Sequence, residues 1–409
     1  MTGAGRPGTF PYPAPTPPVP YLDHAATTPL RAEALDAMLP WLREHHGNPS
    51  SLHGAGRRAR VAVERARARV AGVLGCGPGE VVFTGGGTEA DNLALRGALT
   101  GAALRETGRG GLVTSATEHE AVLRTAGALA DAGHAVAVLA PDRAGRLAPD
   151  AVADALTDGT GLVSAMLVNN ETGAVNPVAE IAAAARAGGA AVHTDAVQAA
   201  GLLPLDVDGL GVDLLSLSGH KVGGPKGAGA LYVRSGTPFA GVQTGGAQER
   251  GRRGGTENVA AVVGFAEALA LAEAERETHA AHLAALRDRL RDRVVGAFGT
   301  GVAVNTPADA APHVLSVSFP PRPGPGGAEA LDGEMLLAAL DLEGVAASAG
   351  SACTSGALEP SHVLLAQGLD RATAAATVRF SLGRGTTADD VDGAADALVR
   401  VVERMGGAV

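Results

Sequence analysis

The chain has 409 residues and a formal net charge of -10; 46% hydrophobic against 19% charged residues marks a folded protein rather than a disordered one. The acidic balance argues against binding that depends on neutralising nucleic-acid or membrane phosphates, and no apolar run reaches the length of a bilayer span. The length calls for two domains, or a large α/β domain with a smaller companion.

Residues 1–20 are rich in Pro, Gly and Thr, lack a helical period and a signal-peptide core, and read as a disordered leader. Residues 21–35 follow as an N-terminal segment expected to pack with the small domain. Arginine-rich residues 57–74 have the spacing of an amphipathic helix. From there to about residue 235, short apolar runs at 81–83, 112–115, 136–139, 162–168, 190–192, 214–217 and 230–233 alternate with Ala-rich stretches. That rhythm predicts a mainly parallel sheet wrapped by helices, a large domain over 36–275. Polar residues follow nearly every run, among them Thr84, His119, Asn169, Asn170, Asp195 and Ser218 to Lys221. In open α/β sheets ligands sit just beyond the carboxyl ends of the strands, so these clusters are expected to converge. A charged helix predicted over 267–298 leads into a smaller α/β domain over 276–409, with strands at 314–319 and 378–381 and a Pro/Gly-rich loop at 320–327.

Only two of the 33 basic residues are lysine, Lys221 and Lys226, and both fall in one Gly-rich segment. A bias towards Ala, Gly and Arg explains the scarcity but not the placement. Lys221, in Ser218-Gly219-His220-Lys221-Val222-Gly223-Gly224, stands at a strand exit among small residues that let a bulky group approach the backbone. Taken alone, such a lysine is more often a solvated loop residue. Asp195, in His193-Thr194-Asp195-Ala196-Val197-Gln198, follows a buried-type strand, where a carboxylate can hold a pyridine nitrogen protonated or cap a helix. Phe83-Thr84-Gly85-Gly86-Gly87-Thr88-Glu89 is a strand, a glycine turn and a helix start, the arrangement that turns backbone amides towards a phosphate. It lacks the Lys-Ser/Thr ending of a P-loop and the spacing of a dinucleotide fingerprint.

Together with Leu22-Asp23-His24-Ala25-Ala26-Thr27-Thr28-Pro29, Asn169-Asn170-Glu171-Thr172-Gly173 and Arg379-Phe380-Ser381-Leu382-Gly383-Arg384, these segments resemble cysteine desulfurases of the NifS/IscS type, class V of the fold-type I enzymes that use pyridoxal 5'-phosphate (PLP). The match runs from about Tyr21 into the C-terminal region. The resemblance implies that Lys221 bonds the cofactor, Asp195 meets its pyridine nitrogen, Gln198 its phenolic oxygen, and His119 stacks on its ring. Gly87, Thr88, Ser218 and His220 would hold the phosphate, joined by Thr256 of a neighbouring subunit in a homodimer. Arg379 would clamp the substrate carboxylate with Asn170, and Asn48 would assist.

Cys353, in Ser348-Ala349-Gly350-Ser351-Ala352-Cys353-Thr354-Ser355-Gly356, sits in a run of small residues that reads as a mobile loop able to carry a thiol to and from substrate. It resembles the sulfur-accepting loop of the group I desulfurases; its bland alternative is an incidental thiol. The resemblance implies conversion of L-cysteine to alanine, with the sulfur left on Cys353 as a persulfide for an iron-sulfur scaffold or a tRNA-thiolating enzyme. Either the freed Lys221 amine or His119 would take the Cα proton. A selenocysteine lyase or aminotransferase would share the cofactor residues, and a non-catalytic scaffold for sulfur acceptors is the rival from another class. Cys76 reads as a small residue in a turn, and two cysteines in all indicate a reducing, cytoplasmic compartment. His45, His46 and His53 read as positioning or solvent-exposed residues rather than a metal centre.

Overall fold

The computed structural model describes residues 20–100, 108–324, 327–350 and 359–406. Seven strands form the main sheet: β1 (Val81–Thr84), β2 (Gly111–Ser115), β3 (Val136–Leu139), β4 (Thr160–Ser164), β5 (Ala191–Asp195), β6 (Leu214–Ser218) and β7 (Gly229–Val233). Their order is β1-β7-β6-β5-β4-β2-β3. Strands β2 to β6 are parallel. Strand β7 is antiparallel to both its neighbours, because the 219–228 connection from β6 is too short for the crossover a parallel return requires. That short connection carries Lys221. The 162–168 run expected as one strand is assigned only to Ser164, yet its ladder continues: Ala165 N–H donates to His193 O (3.0 Å) and Leu167 N–H to Asp195 O (2.9 Å).

Helices α1 (Ala32–Arg43), α2 (Gly54–Leu74), α3 (Gly87–Thr100) and α4 (Glu120–Asp131) pack around the sheet, whose inner strands are buried along their length. Helix α2 starts at His53, whose Nδ1 accepts the Gly56 N–H (3.2 Å). Within α2, the Arg67 guanidinium is buried and holds Glu249 in a two-pronged pair at 2.6 and 2.8 Å while also donating to Val81 O (2.7 Å). Glu249 accepts the Phe83 N–H (2.9 Å), and it and Arg250 have φ of 46° and 58°, left-handed for residues with side chains. Replacing Arg67 by methionine strands a buried carboxylate. The expected cost is about 3–5 kcal/mol, read as a lower denaturation midpoint, with partial recovery when Glu249→Gln is added.

Helix α5 (Val259–Phe298) begins eight residues earlier than the charge pattern indicates. Asn258 caps it by accepting the Ala261 N–H (3.2 Å), and Ala260, Ala261, Val262, Phe265 and Ala266 are buried, so the first turns carry no charged face to read. Phe265, Leu269 and Ala272 belong to the core of the large sheet; Leu283, Leu290 and Val294 belong to a second core. That second core covers an antiparallel sheet of β8 (Ala303–Val304), β9 (Val314–Ser318) and β12 (Thr377–Ser381), ordered β12-β9-β8. A ribbon of β10 (Arg322–Gly324) and β11 (Gly327–Glu329) stands where the sequence suggests a plain loop. Helices α6 (Gly333–Leu342), α7 (His362–Ala366) and α8 (Ala388–Arg404) complete this part. No described helix is long and apolar enough to cross a membrane.

The N-terminal segment ties the two parts together. Leu22 is buried in the second core, and Tyr21 and Asp23 bridge to Ala346 and Ser381. The chain then crosses to the large sheet, where Thr28 N–H donates to His220 O (2.9 Å) and Arg31 N–H to Gly223 O (2.8 Å).

Candidate active site

Carboxyl-end positions of the adjacent β5 and β6, and of β1 on the far side of β7, define the floor of the site. Asp195 ends β5, Ser218 ends β6, and the start of α3 follows β1. The approach is close: a Cβ on Gly87 would lie 2.8 Å from Val197 Cγ2 and 3.4 Å from Ser218 Cβ. Glycine at 87 is thus required by packing between the helix start and the β5 exit, in addition to any phosphate. Thr88 lies exposed beside it in the first turn of α3.

Lys221 is half-buried, its Nζ donating to Ala25 O and, at 2.9 Å, to Ala26 O. Burial lowers its pKa to about 8, helped by the Arg379 charge and opposed by Asp195 and Asp23. Asp195 is buried, with Oδ1 accepting the Val197 N–H (2.9 Å), and no salt bridge to it forms among the described residues. Burial pushes its carboxyl up, while the charges of His119 and Lys221 and the Val197 N–H pull the other way. Behind it, His193 is held between Ser164 Oγ and Ser216 Oγ (2.9 Å each) and burial lowers it to about 3. The buried Asp91 and Glu118 carboxyls are pushed well up by burial, and the charge of Asp195 adds to it. Of these three acids, Asp195 is the one that neighbouring charges, those of His119 and Lys221, draw back towards the ordinary carboxylate range.

His119 caps α4: its Nδ1 accepts the Ala121 N–H (3.1 Å), which leaves the proton of the neutral ring on Nε2. Gln198 Nε2 donates to Ala25 O (2.9 Å), and its Oε1 meets His313 Nε2 at 3.3 Å. His220 Nδ1 pairs with Thr27 Oγ1 (3.1 Å), and burial lowers its pKa to about 4. Arg379, buried on β12, donates from Nη2 to Asp23 Oδ1 (2.8 Å) and from Nη1 to Asn170 O (2.8 Å) and Gly350 O (3.3 Å). Its Nε is buried without a partner among the described residues, a donor available to another carboxylate.

Lys221, Asp195, His119, Ser218, His220, Gln198 and Asn170 lie at strand ends or on the connections that follow them, Gly87 and Thr88 in the first turn of α3, and Arg379 in the middle of β12, joined to Asn170 O. Asn48 and Thr256 are exposed, and neither bonds to the cluster among the described residues; Asn48 Oδ1 accepts the Ser50 N–H (2.8 Å). Cys353 lies outside the described residues. Sequence reasoning missed Asp23 as the partner of Arg379, the Ala25 and Ala26 carbonyls as acceptors for Lys221, and His313 behind Gln198. The motif around Asp23 was visible, but its partners lie hundreds of residues away. Cys76 is half-buried and its thiol is pushed up to about 12, first by burial, which leaves it protonated and inert.

A deprotonatable amine, a buried carboxylate without an ion pair and an arginine with a spare donor are what PLP and an amino-acid substrate need, and the Arg379 Nε finds no partner among the described residues. The fold is that of a fold-type I PLP enzyme. The Aminotransferase class-V family model matches residues 20–393, and the protein belongs to that PLP-dependent family. It is 43% identical over 386 residues to "Cysteine desulfurase IscS" of Dictyoglomus turgidum, covering 94% of this chain and 95% of that one. With "Cysteine desulfurase NifS" of Azotobacter vinelandii it shares 42% identity over 373 residues, 91% of this chain and 90% of the relative. A solved structure titled "NIFS-LIKE PROTEIN" superposes with a TM-score of 0.84 at 34% identity, covering 94% of this chain and 99% of the other.

Proposed function

We propose that the enzyme is a cysteine desulfurase that converts L-cysteine to L-alanine and leaves the sulfur on Cys353 as a persulfide. The observation that carries this reading is Lys221 with its lowered pKa, set electrostatically between Asp195 and Arg379. The extent of similarity to cysteine desulfurases supports it. Bound PLP supplies an electron sink that makes the substrate Cα proton removable.

The chain's own groups do the rest. Arg379, braced by Asp23 and by the Asn170 and Gly350 carbonyls, holds the substrate carboxylate. Asp195 keeps the pyridine nitrogen protonated, and Gly87, Thr88, Ser218 and His220 hold the phosphate. Lys221 is the better base for the Cα proton, because the lone pair of the neutral His119 ring is at Nδ1 and taken up by the Ala121 N–H, so its Nε2 side offers a hydrogen-bond donor and no base. The Cys353 thiolate attacks the substrate sulfur: a sulfur–sulfur bond forms as the Cβ–sulfur bond breaks. The electron pair leaves with the carbon fragment, which takes up protons to become alanine. A homodimer in which Thr256 serves the partner's site, an iron-sulfur scaffold or tRNA-thiolating enzyme as acceptor, and a cytoplasmic setting complete the proposal.

The test is alanine and sulfide formation from L-cysteine by PLP-loaded protein with a reductant, beside Cys353→Ala of equal cofactor content. A fall of about a hundred-fold is expected, with slow residual transfer to the added thiol. Unchanged activity in the variant would move the reading to a lyase that releases sulfur without Cys353, whereas cysteine consumed with neither alanine nor sulfide formed would point to an aminotransferase.

A further inference from the structure

The Asn169-Asn170-Glu171-Thr172-Gly173 motif contains a buried acid that the mechanism leaves unused. Glu171 follows β4 on the large domain and is 3% exposed. Its Oε2 accepts a hydrogen bond from Ser361 Oγ, and Ser361 in turn caps α7 by accepting the Leu364 N–H (3.2 Å). The same side chain packs on Gly350: a Cβ there would lie 3.1 Å from Glu171 Oε2 and 3.3 Å from its Cβ and Cγ. Gly350 also has φ of +96°, so both its backbone and its neighbour demand glycine. Gly350 and Ser361 stand on either side of the stretch that contains Cys353, three residues after the first and eight before the second.

Further contacts brace the same two points. Arg379 Nη1 donates to Gly350 O, Gly350 N–H donates to Ser348 Oγ (3.3 Å), and His362 Nε2 lies 3.0 Å from Glu118 O. Burial pushes the Glu171 carboxyl up, opposed by the Ser361 hydroxyl and the charges of His362 and Arg379, with Glu120 adding to the rise. The hydroxyl donates to either protonation state of the acid, so the clamp persists across the neutral range.

We propose that Glu171 is a positioning residue for sulfur transfer, fixing from the large domain both ends of the Cys353-bearing stretch through its packing on Gly350 and its hydrogen bond from Ser361. The inference rests on Cys353 being the sulfur acceptor. It assigns Glu171 a task separate from the cofactor, whose own contacts lie on Lys221, Asp195 and the α3 start.

The experiment compares Glu171→Ala and Glu171→Gln with the parent enzyme, all PLP-loaded. Cofactor content and absorbance, cysteine affinity by spectral titration, single-turnover persulfide formation, and site-resolved alkylation of Cys353 by iodoacetamide are measured. In Glu171→Ala, persulfide formation is expected to slow about tenfold or more and Cys353 alkylation to change several-fold, with cofactor and cysteine binding unaltered. Glu171→Gln, whose amide oxygen still accepts from Ser361, is expected to restore most of both rates. Parental persulfide and alkylation rates in Glu171→Ala overturn the proposal, as does a loss that tracks cofactor or cysteine binding. Altered alkylation in Glu171→Ala, beside a parent that forms no persulfide, instead refutes Cys353 as acceptor while leaving the clamp standing.

Discussion

Replacing Lys221 by alanine is expected to lower alanine formation from cysteine by about four orders of magnitude without unfolding the protein. The side chain makes two hydrogen bonds, both to carbonyls of the 25–26 turn, and that turn is also held by Gln198, by Ser381 and by the neighbouring Thr28–His220 contacts. The loss therefore falls on chemistry. Without the amine, cofactor added to the protein has no covalent attachment, and the Cα proton loses its base. Denaturation midpoint, cofactor absorbance after gel filtration and alanine release together separate these effects; a midpoint near the parent's with activity near background is the expected pattern. The only other lysine, Lys226, is exposed and cannot substitute.

The pH dependence of cofactor uptake follows from the same group. With a pKa of about 8, roughly a tenth of the Lys221 amines are neutral at pH 7, against about 0.03% for an ordinary lysine. Only the neutral amine is nucleophilic. Covalent uptake of PLP by the apoprotein is thus expected to accelerate as pH rises towards about 8 and to level off above it. Stopped-flow absorbance across that range measures it, and continued acceleration up to pH 10 would show that the amine is not depressed.

The second large effect is expected at Asp195. Asp195→Ala removes the carboxylate proposed to hold the pyridine nitrogen protonated and should cost about a thousand-fold in turnover, together with a shifted cofactor absorbance and easier loss of cofactor on dialysis. Asp91 and Glu118 are poor substitutes, since burial pushes both carboxyls well up and, of the three acids, only Asp195 is drawn back by the charges of His119 and Lys221. Asp195→Glu keeps the charge and should recover part of the rate. An Asp195→Ala enzyme with parental spectrum and turnover would place the pyridine nitrogen elsewhere.

Much of this was legible in the sequence because parallel strands buried on both faces are nearly continuous apolar runs, and the groups that matter follow those runs directly. Asp195, Ser218 and Lys221 are found that way. The helix-cap reading of Asp195 does not hold: its Oδ1 accepts the Val197 N–H in a turn, with no helix before Val207, while the charges of His119 and Lys221 act on the same carboxylate. The glycine turn is only half explained by phosphate, since Gly87 is needed for its contact with Val197. What the sequence hides is contact between distant segments. The Asp23–Arg379 pair, the His313–Gln198 contact and the Ser361–Glu171 bond join residues 356, 115 and 190 positions apart, and no local period encodes them. The start of α5 is hidden for a different reason, because a helix buried all round shows no stripe.

Helix α5 has a mechanical consequence. Forty residues make a rod about 60 Å long, set at one end in the large-sheet core and at the other in the second core. At its middle, Glu275 grips Arg31 of the N-terminal segment (3.0 Å) and Arg384 beyond β12 (3.4 Å). A rod anchored at both ends and lashed at the centre leaves the two halves little freedom to melt separately. A single nick near Glu275 would leave the two halves, Lys221 on one and Arg379 on the other, held by non-covalent contacts such as Leu22 in the second core and the Asp23–Arg379 pair.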